Sequence, residues 1–236
     1  MNILFTSSWY PSKEHPTLGN FVERHARSVA MFTPVTVLYI RSGTTSSDYE
    51  IEVKKEDNIN TIIVYYPKVK SKTFSFLKFY RFYQAMLKGL TTIKNEFGIE
   101  RFDVCHHSIH FEAGIIPLYL NRKHKTPYII SENWTGYLPS NRWEYKGFLR
   151  KILTKRIGNK CDIQCPVSDD LKKSLEELGI SKGRVEIVPN VVRTDQFTAK
   201  TKPSRENGTN FIHVSTLDED QKNITGILRV FARYLE

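Results

Sequence analysis

The stretch PVSDDLKKSLEELGISKGRVEIVPNVVRTDQF, Pro166 to Phe197, decides how the rest of the chain is read. The mostly apolar run Ile163 to Val167 ends in Ser168-Asp169-Asp170, and a helical pattern starts at once, with Leu171, Leu175 and Leu178 recurring every three to four residues. Gly179 stops the pattern where a helix end favours a left-handed residue. Val185 to Val188 reads as a buried strand that Pro189-Asn190 breaks. Strand, helix, strand and loop in this order make one α/β crossover unit.

Upstream the same alternation repeats. Ile3 to Thr6 is a strand, and a loop with Pro11 and Pro16 leads to a helix that Asn20 can cap, with Glu23 reaching back. Val35 to Ile40 is a second strand, Ser42 to Asp48 a polar surface loop, and Ile59 to Tyr66 a strand that Pro67 ends. From about Phe74 a helical pattern runs on, with Phe76, Phe79, Tyr80, Tyr83, Met86, Leu87 and Leu90 on one stripe. Asp103 to His106 is a strand, Phe111 to Asn121 a helix, Pro127 to Ser131 a strand, and Gly147 to Ile157 a basic helix. This spacing predicts an α/β fold with a Rossmann-like, doubly wound parallel sheet over residues 1–197. Residues 198–210 have the composition of a linker. Phe211 to Ser215 reads as a strand and Asn223 to Leu235 as a helix with Ile224, Ile227, Leu228 and Phe231 on one stripe. One strand and one helix cannot cover both faces of a sheet, so residues 211–236 read as the opening of a truncated second α/β domain.

PVSDDLKKSL followed by VEIVPNVV and Phe197 resembles the end of the N-terminal domain in family 4 glycosyltransferases, which have the two-domain GT-B fold. The family pattern there is I-P-N-G-V-D-x-x-x-F; Pro189, Asn190, Val192 and Phe197 are kept, while Val191 stands for Gly and Arg193 for Asp. Three other stretches bear on the same resemblance. Pro16-Thr17-Leu18-Gly19-Asn20-Phe21 lies between the first strand and first helix, where free N–H groups and the dipole suit phosphate or sugar oxygens and Gly19 lets a ligand approach. It resembles the family's loop bordering donor phosphate and acceptor. Ser131 to Tyr137 resembles the family's T-E-H-W-S-G-Y segment, with Asn133 where many relatives carry histidine. An amide cannot act as a general base, so the role implied for Asn133 is positional, beside Glu132, Trp134 and Tyr137. In Asp218 to Asn223, Lys222 matches a family lysine that meets the donor diphosphate, and Thr216 stands where its partner arginine is expected.

The resemblance implies transfer of a sugar from a nucleotide-sugar donor to an acceptor hydroxyl, with retention, without metal and without a further cofactor. It implies a glycan or lipid-linked acceptor in surface polysaccharide synthesis. The family's donor-binding E-x7-E motif does not occur in the chain, so residues 1–236 are expected to be inactive alone.

Other chemistries fit less well. His106 and His107 follow Cys105, but neighbours on a strand point to opposite faces, so His106 is read as part of a polar rim at the strand ends and not as a metal ligand. There is no G-x-G-x-x-G, no G-x-S-x-G and no Walker loop. Three cysteines without zinc or redox spacing, and no signal peptide, predict a reducing cytoplasm. The formal charge of +10, 35 basic against 25 acidic residues, concerns partners. Residues 58–95 hold no acid, and Lys78, Arg81 and Lys88 are expected to share an exposed helix face with Phe74, Leu77 and Phe82, while Phe76, Tyr80, Tyr83 and Leu87 face the core. Basic residues among exposed aromatics suit an anionic membrane surface at the inner face of the cell membrane. The alternatives are a basic α/β module binding nucleic acid, for which no motif is present, and a non-catalytic sugar-binding remnant.

Overall fold

The structure is a computed structural model and describes residues 1–68, 75–194, 197, 211–215 and 217–235. The chain divides into two compact units, Met1–Val192 and Arg193–Glu236. The linker expected at 198–210, together with Phe74 and Thr216, lies outside the described residues.

In chain order the first unit holds β1 (Ile3–Ser7), α1 (Asn20–Ala30), β2 (Val35–Gly43), β3 (Glu50–Glu56), β4 (Ile59–Pro67), α2 (Ser75–Phe97), β5 (Val104–Ser108), α3 (Ile115–His124) and β6 (Tyr128–Glu132). Two 3₁₀ turns (Thr135–Tyr137 and Pro139–Glu144) follow, then α4 (Phe148–Gly158), β7 (Ile163–Pro166), α5 (Asp169–Glu177) and β8 (Arg184–Val185). The eight strands form one sheet in the order β3-β4-β2-β1-β5-β6-β7-β8, parallel except for β3 against β4. Without β3 this is the Rossmann order, and the direction of winding reverses between β1 and β5. Phe5 is paired with His106 and Thr6 with His107 across that reversal.

The inner strands are near-continuous apolar runs because helices cover both faces. Leu4, Leu38, Ile62, Val64, Cys105 and Ile130 point to the face covered by α2, α3 and α4, and Phe5, Val37, Tyr39, Ile63 and Tyr65 to the face covered by α1. A third, smaller core joins Tyr137 and Tyr145 to Leu171, Leu175 and Ile180.

The stretch from Pro166 to Val188 folds as a crossover. The Ser168 hydroxyl accepts a hydrogen bond from the Leu171 N–H at 3.3 Å, and Gly179 takes φ 65° just past the end of α5. Ser168→Ala should therefore cost about 1 kcal/mol and Ser168→Asp almost nothing, as read by urea unfolding. Equal losses in both variants would show that the cap is not what matters. The strand expected over Val185–Val188 is shorter: β8 is only Arg184–Val185, although Glu186 and Val188 still donate to the Gln164 and Pro166 carbonyls at 2.9 and 3.1 Å. Ile187 and Val188 are exposed, since β8 is the sheet's last strand.

Four other expectations are corrected. Asn20 does not cap α1; Gly19, at φ 72°, holds the cap position without a side-chain bond, and Glu23 pairs with Arg27 one turn on instead of reaching back. In α2, Phe82 is buried edge-on against Tyr66, whereas Phe76 and Tyr80 are 79% and 49% exposed. The reason is size: Ala85 and Gly89 share the inward stripe with Phe82, Met86 and Ile93, and the helix approaches until a Cβ on Gly89 would sit 2.5 Å from Leu38. The polar loop expected from Ser42 is still strand at Ser42 and Gly43, and β3 follows it. α3 starts at Ile115, four residues after the expected Phe111.

The second unit contains α6 (Glu219–Lys222) and α7 (Ile224–Leu235). Phe211–Ser215 does not form the expected strand; an extended segment needs a neighbour to hydrogen-bond with, and none is described within this unit. Phe211 instead packs on Phe231 and Tyr234 of α7, with ring centroids 5.4 and 6.0 Å apart.

Candidate functional site

The reversal of winding between β1 and β5 opens a crevice at the C-terminal strand ends, where ligands bind in open α/β sheets. Sequence fixes its walls locally. After β1 the chain turns sharply: the Ser7 hydroxyl donates to the Trp9 carbonyl at 2.6 Å, and the Trp9 N–H donates back to Ser7 Oγ at 3.0 Å. The returning loop passes so close that a Cβ on Gly19 would lie 2.5 Å from the carbonyl carbon and oxygen of Trp9. Only glycine fits that approach and that φ. Gly19 is itself buried, and Asn20, the first residue of α1, is exposed.

His106 stands on β5 with its ring 4.3 Å from that of Phe5, and its Nε2 is 2.7 Å from Ser131 Oγ at the end of β6. His107 points to the opposite face, where its Nδ1 lies 2.8 Å from Thr6 Oγ1, as alternation along a strand requires. Burial, together with the charges of His25 and His107, pushes the His106 pKa down to about 3. His25 comes from the inward face of α1, between Val22 and Ala26, and burial lowers its pKa too, against a smaller opposing effect of the Asn190 amide. Both rings are therefore neutral near pH 7. Asn190 follows β8, and its Oδ1 accepts a hydrogen bond from Asn133 Nδ2 at 2.7 Å. Ser131, His106, His25, Asn190 and Asn133 thus form one uncharged polar cluster drawn from four parts of the chain. Neutral imidazoles, amides and a hydroxyl both donate and accept, which suits a polyhydroxylated ligand.

Two residues expected to line this site do not reach it. Glu132 is fully buried. Its Oε1 accepts from the N–H groups of Asn133 and Trp134 at 2.9 and 2.7 Å, and its Oε2 accepts from the His110 N–H at 3.0 Å and contacts His110 Nδ1. Burial pushes the carboxyl pKa up, but the His110 ring and the N–H groups outweigh it and hold it below the usual range. Glu132 is a positioning residue: it sets the turn that presents Asn133 and Trp134. Tyr137 is also fully buried, edge-on to Trp134, His110 and Tyr145 at 4.8, 5.8 and 5.0 Å. Burial is the largest cause raising its pKa, and it belongs to the third core. Both fold inward because the loop backbone needs a buried acceptor and the rings need cover. Asn133 and Trp134 stay partly open, and the Arg150 guanidinium lies 4.3 Å over the Trp134 ring. Lys222 is an exposed residue of α6 in the second unit.

Sequence reasoning missed His25, Ser131 and Asn190 as members of the cluster. His25 had a usable signal, a polar ring on the apolar stripe Val22, Ala26 and Ala30.

The sequence profile described as Glycosyltransferase Family 4 matches residues 22–196. No curated protein matches the chain. Among solved structures, a sucrose-phosphate synthase chain from Thermosynechococcus elongatus is similar at 13% identity and a TM-score of 0.53, covering 84% of this chain and 93% of that one. A longer chain of that synthase matches at 10% identity and 0.53, covering 80% and 48%. The UDP-forming alpha,alpha-trehalose-phosphate synthase of Burkholderia xenovorans, solved with glucose-6-phosphate, matches at 9% identity and 0.55, covering 83% and 51%. The chain therefore spans about half the length of these two longer synthase chains. At such identities the likeness concerns the fold, which is the Rossmann-like α/β fold of GT-B glycosyltransferases.

Proposed function

Because the chain belongs to glycosyltransferase family 4, we propose that it supplies the acceptor side of a retaining glycosyltransferase, one that moves a sugar from a nucleotide-sugar donor to a glycan or lipid-linked acceptor in surface polysaccharide synthesis. The observation that carries this reading is the uncharged cluster of His25, His106, Ser131, Asn133 and Asn190 at the C-terminal strand ends. Such a cluster hydrogen-bonds sugar hydroxyls without setting a fixed charge beside them. Asn133 and Asn190 hold the acceptor hydroxyl in line. Neither amide can take its proton, so that proton goes to the leaving diphosphate. Gly19 and Asn20 border the donor phosphates, and Trp134 meets an apolar sugar face. The enzyme works at the periphery of the inner face of the cell membrane; among the described residues no helix is long and apolar enough to cross it.

The test is Asn133→Ala in an enzyme that also carries the donor-binding half, assayed for transfer from a panel of uridine and guanosine diphosphate sugars. Turnover should fall about tenfold or more, because one lost site hydrogen bond that strengthens in the transition state is worth about 1.4 kcal/mol or more. The melting temperature should move by no more than about 3 °C, since Asn133 is on the open side of the loop. Normal turnover with a large drop in melting temperature would make the cluster structural.

A further inference from the structure

On the face of the sheet covered by α2 and α4 lies a cavity of about 840 Å³. That size suits a small ligand or one hydrocarbon chain. Its walls are mostly apolar, with Tyr66, Phe79, Phe82, Ile115 and Leu153 among them. Its mouth is unusual for a protein surface: Phe76 and Leu149 are each 79% exposed. The charge around it is unbalanced. Among the described residues, Lys68, Lys78 and Arg150 line the cavity against a single acid, Glu112. A second groove, which shares Phe79 and Ile115 with the first, adds Arg122, Lys123, Lys125, Arg156 and Lys160 and, among the described residues, no acid. An apolar channel rimmed by cations is complementary to an anionic amphiphile.

Arg150 ties this groove to the polar cluster. Its guanidinium is held between the rings of Trp134 and Phe111, 4.3 and 4.9 Å from their centroids, and Trp134 directly follows Asn133. One Nη donates to the Glu144 carbonyl at 3.3 Å, while the buried Nε has no hydrogen-bond partner among the described residues. A guanidinium fixed by stacking, with donor capacity left over, is a ready phosphate contact.

We propose that the groove between α2 and α4 holds the hydrocarbon chain of the acceptor, and that Arg150 at its inner end binds the phosphate of the acceptor head. The inference rests on the acceptor reading above and narrows it to a phosphate-bearing amphiphile. The head then reaches from Arg150 past Trp134 to Asn133, and the chain leaves between Phe76 and Leu149 toward the membrane.

The test measures binding without any donor, by calorimetry with octyl and decyl phosphate below their micelle concentrations. Decyl maltoside and inorganic phosphate are the controls. Saturable one-to-one binding is expected. Decyl phosphate should bind about tenfold tighter than octyl phosphate, because two more methylenes leave water. It should also bind at least tenfold tighter than decyl maltoside, and inorganic phosphate should show no measurable binding. Arg150→Gln should erase the preference for phosphate over maltoside and leave maltoside binding unchanged. Leu149→Ser, at an exposed position that cannot disturb the core, should weaken both amphiphiles about fivefold. Affinity independent of chain length would overturn the groove, as would an unchanged phosphate preference in Arg150→Gln. Sedimentation with phosphatidylglycerol vesicles but no uptake of monomeric decyl phosphate would also overturn it, leaving only a membrane-facing patch. In an enzyme that also carries the donor-binding half, transfer to a soluble sugar without alkyl phosphate binding would sink the groove and spare the transferase reading; binding without transfer would do the reverse.

Discussion

Glu132→Ala is expected to cost about 3–5 kcal/mol of stability, the usual loss when one partner of a buried charged network is removed. Three backbone N–H groups and the His110 ring would lose their acceptor in a place that water does not reach. For a unit of this length the melting temperature should drop by roughly 10 °C or more. Urea unfolding should show a lower midpoint with an unchanged slope. In an enzyme that also carries the donor-binding half, turnover should fall as well, since the Asn133–Trp134 turn loses its brace. Glu132→Gln keeps one acceptor oxygen and should fall between the alanine variant and the native chain. A Glu132→Ala protein of native stability but no activity would show that the carboxylate acts on the substrate directly and that the bracing described above is incidental.

The second expected result concerns acid. His107 is fully buried, and burial first, then the charge of His110, pushes its pKa down to about 3. The unfolded chain takes up a proton at this residue near pH 6.5, whereas the folded chain does not until about 3. Its contribution is therefore complete above pH 6.5 and is lost as pH falls, by about 1.4 kcal/mol per pH unit. Between pH 6.5 and 4.5 this residue alone should remove roughly 2 kcal/mol. His106, with part of its ring open to the crevice, adds to the same loss. Glu132 enters lower down: its depressed pKa stabilises the fold above the ordinary carboxylate value of 4.5, and that part is lost only as pH drops below it. Urea unfolding at pH 7.5, 5.5 and 4.5 should show the decline, and His107→Gln should flatten it. A stability constant from pH 7.5 to 4.5 would mean that the buried histidines protonate without penalty.

The alternation of strands and helices was legible because each central strand is buried on both faces and therefore written as an apolar run. β3 was not, because Glu50-Ile51-Glu52-Val53-Lys54-Lys55-Glu56 pairs on one side only and carries charges that read as loop. The rotation of α2 was misread because aromatics dominate any wheel, while the helix is seated by its small residues, Ala85 and Gly89. At the site, Asn133, Trp134, His106 and Gly19 fall around the crevice because strand alternation and loop position suffice to bring them there. Glu132 and Tyr137 could not be separated from them by sequence. Whether a loop side chain faces out or in depends on how many backbone N–H groups need an acceptor, a property of the folded turn alone. Asn190 joins Asn133 across 57 positions of sequence, a meeting that no local pattern encodes.

The charged strand β3 has a further consequence. A sheet with a bare margin is a template on which other chains can add strands and grow into aggregates. Here that margin is fenced. Arg27 of α1 holds Glu56 at 2.7 Å, Lys13 pairs with Glu50, and Lys55 reaches Glu96 of α2 at 3.2 Å. Each bridge is at the surface and adds little to stability. Their worth lies in keeping strangers off: a chain that docks along β3 would have to break these bridges and desolvate a row of charges before gaining its first hydrogen bond. That protection is needed most while the protein is being made, when the long parallel pairings of β2 with β4 and β1 with β5 are still slow to form. The antiparallel β3–β4 hairpin, closed by the short turn at Asp57-Asn58, can form early and cover the margin from the outset.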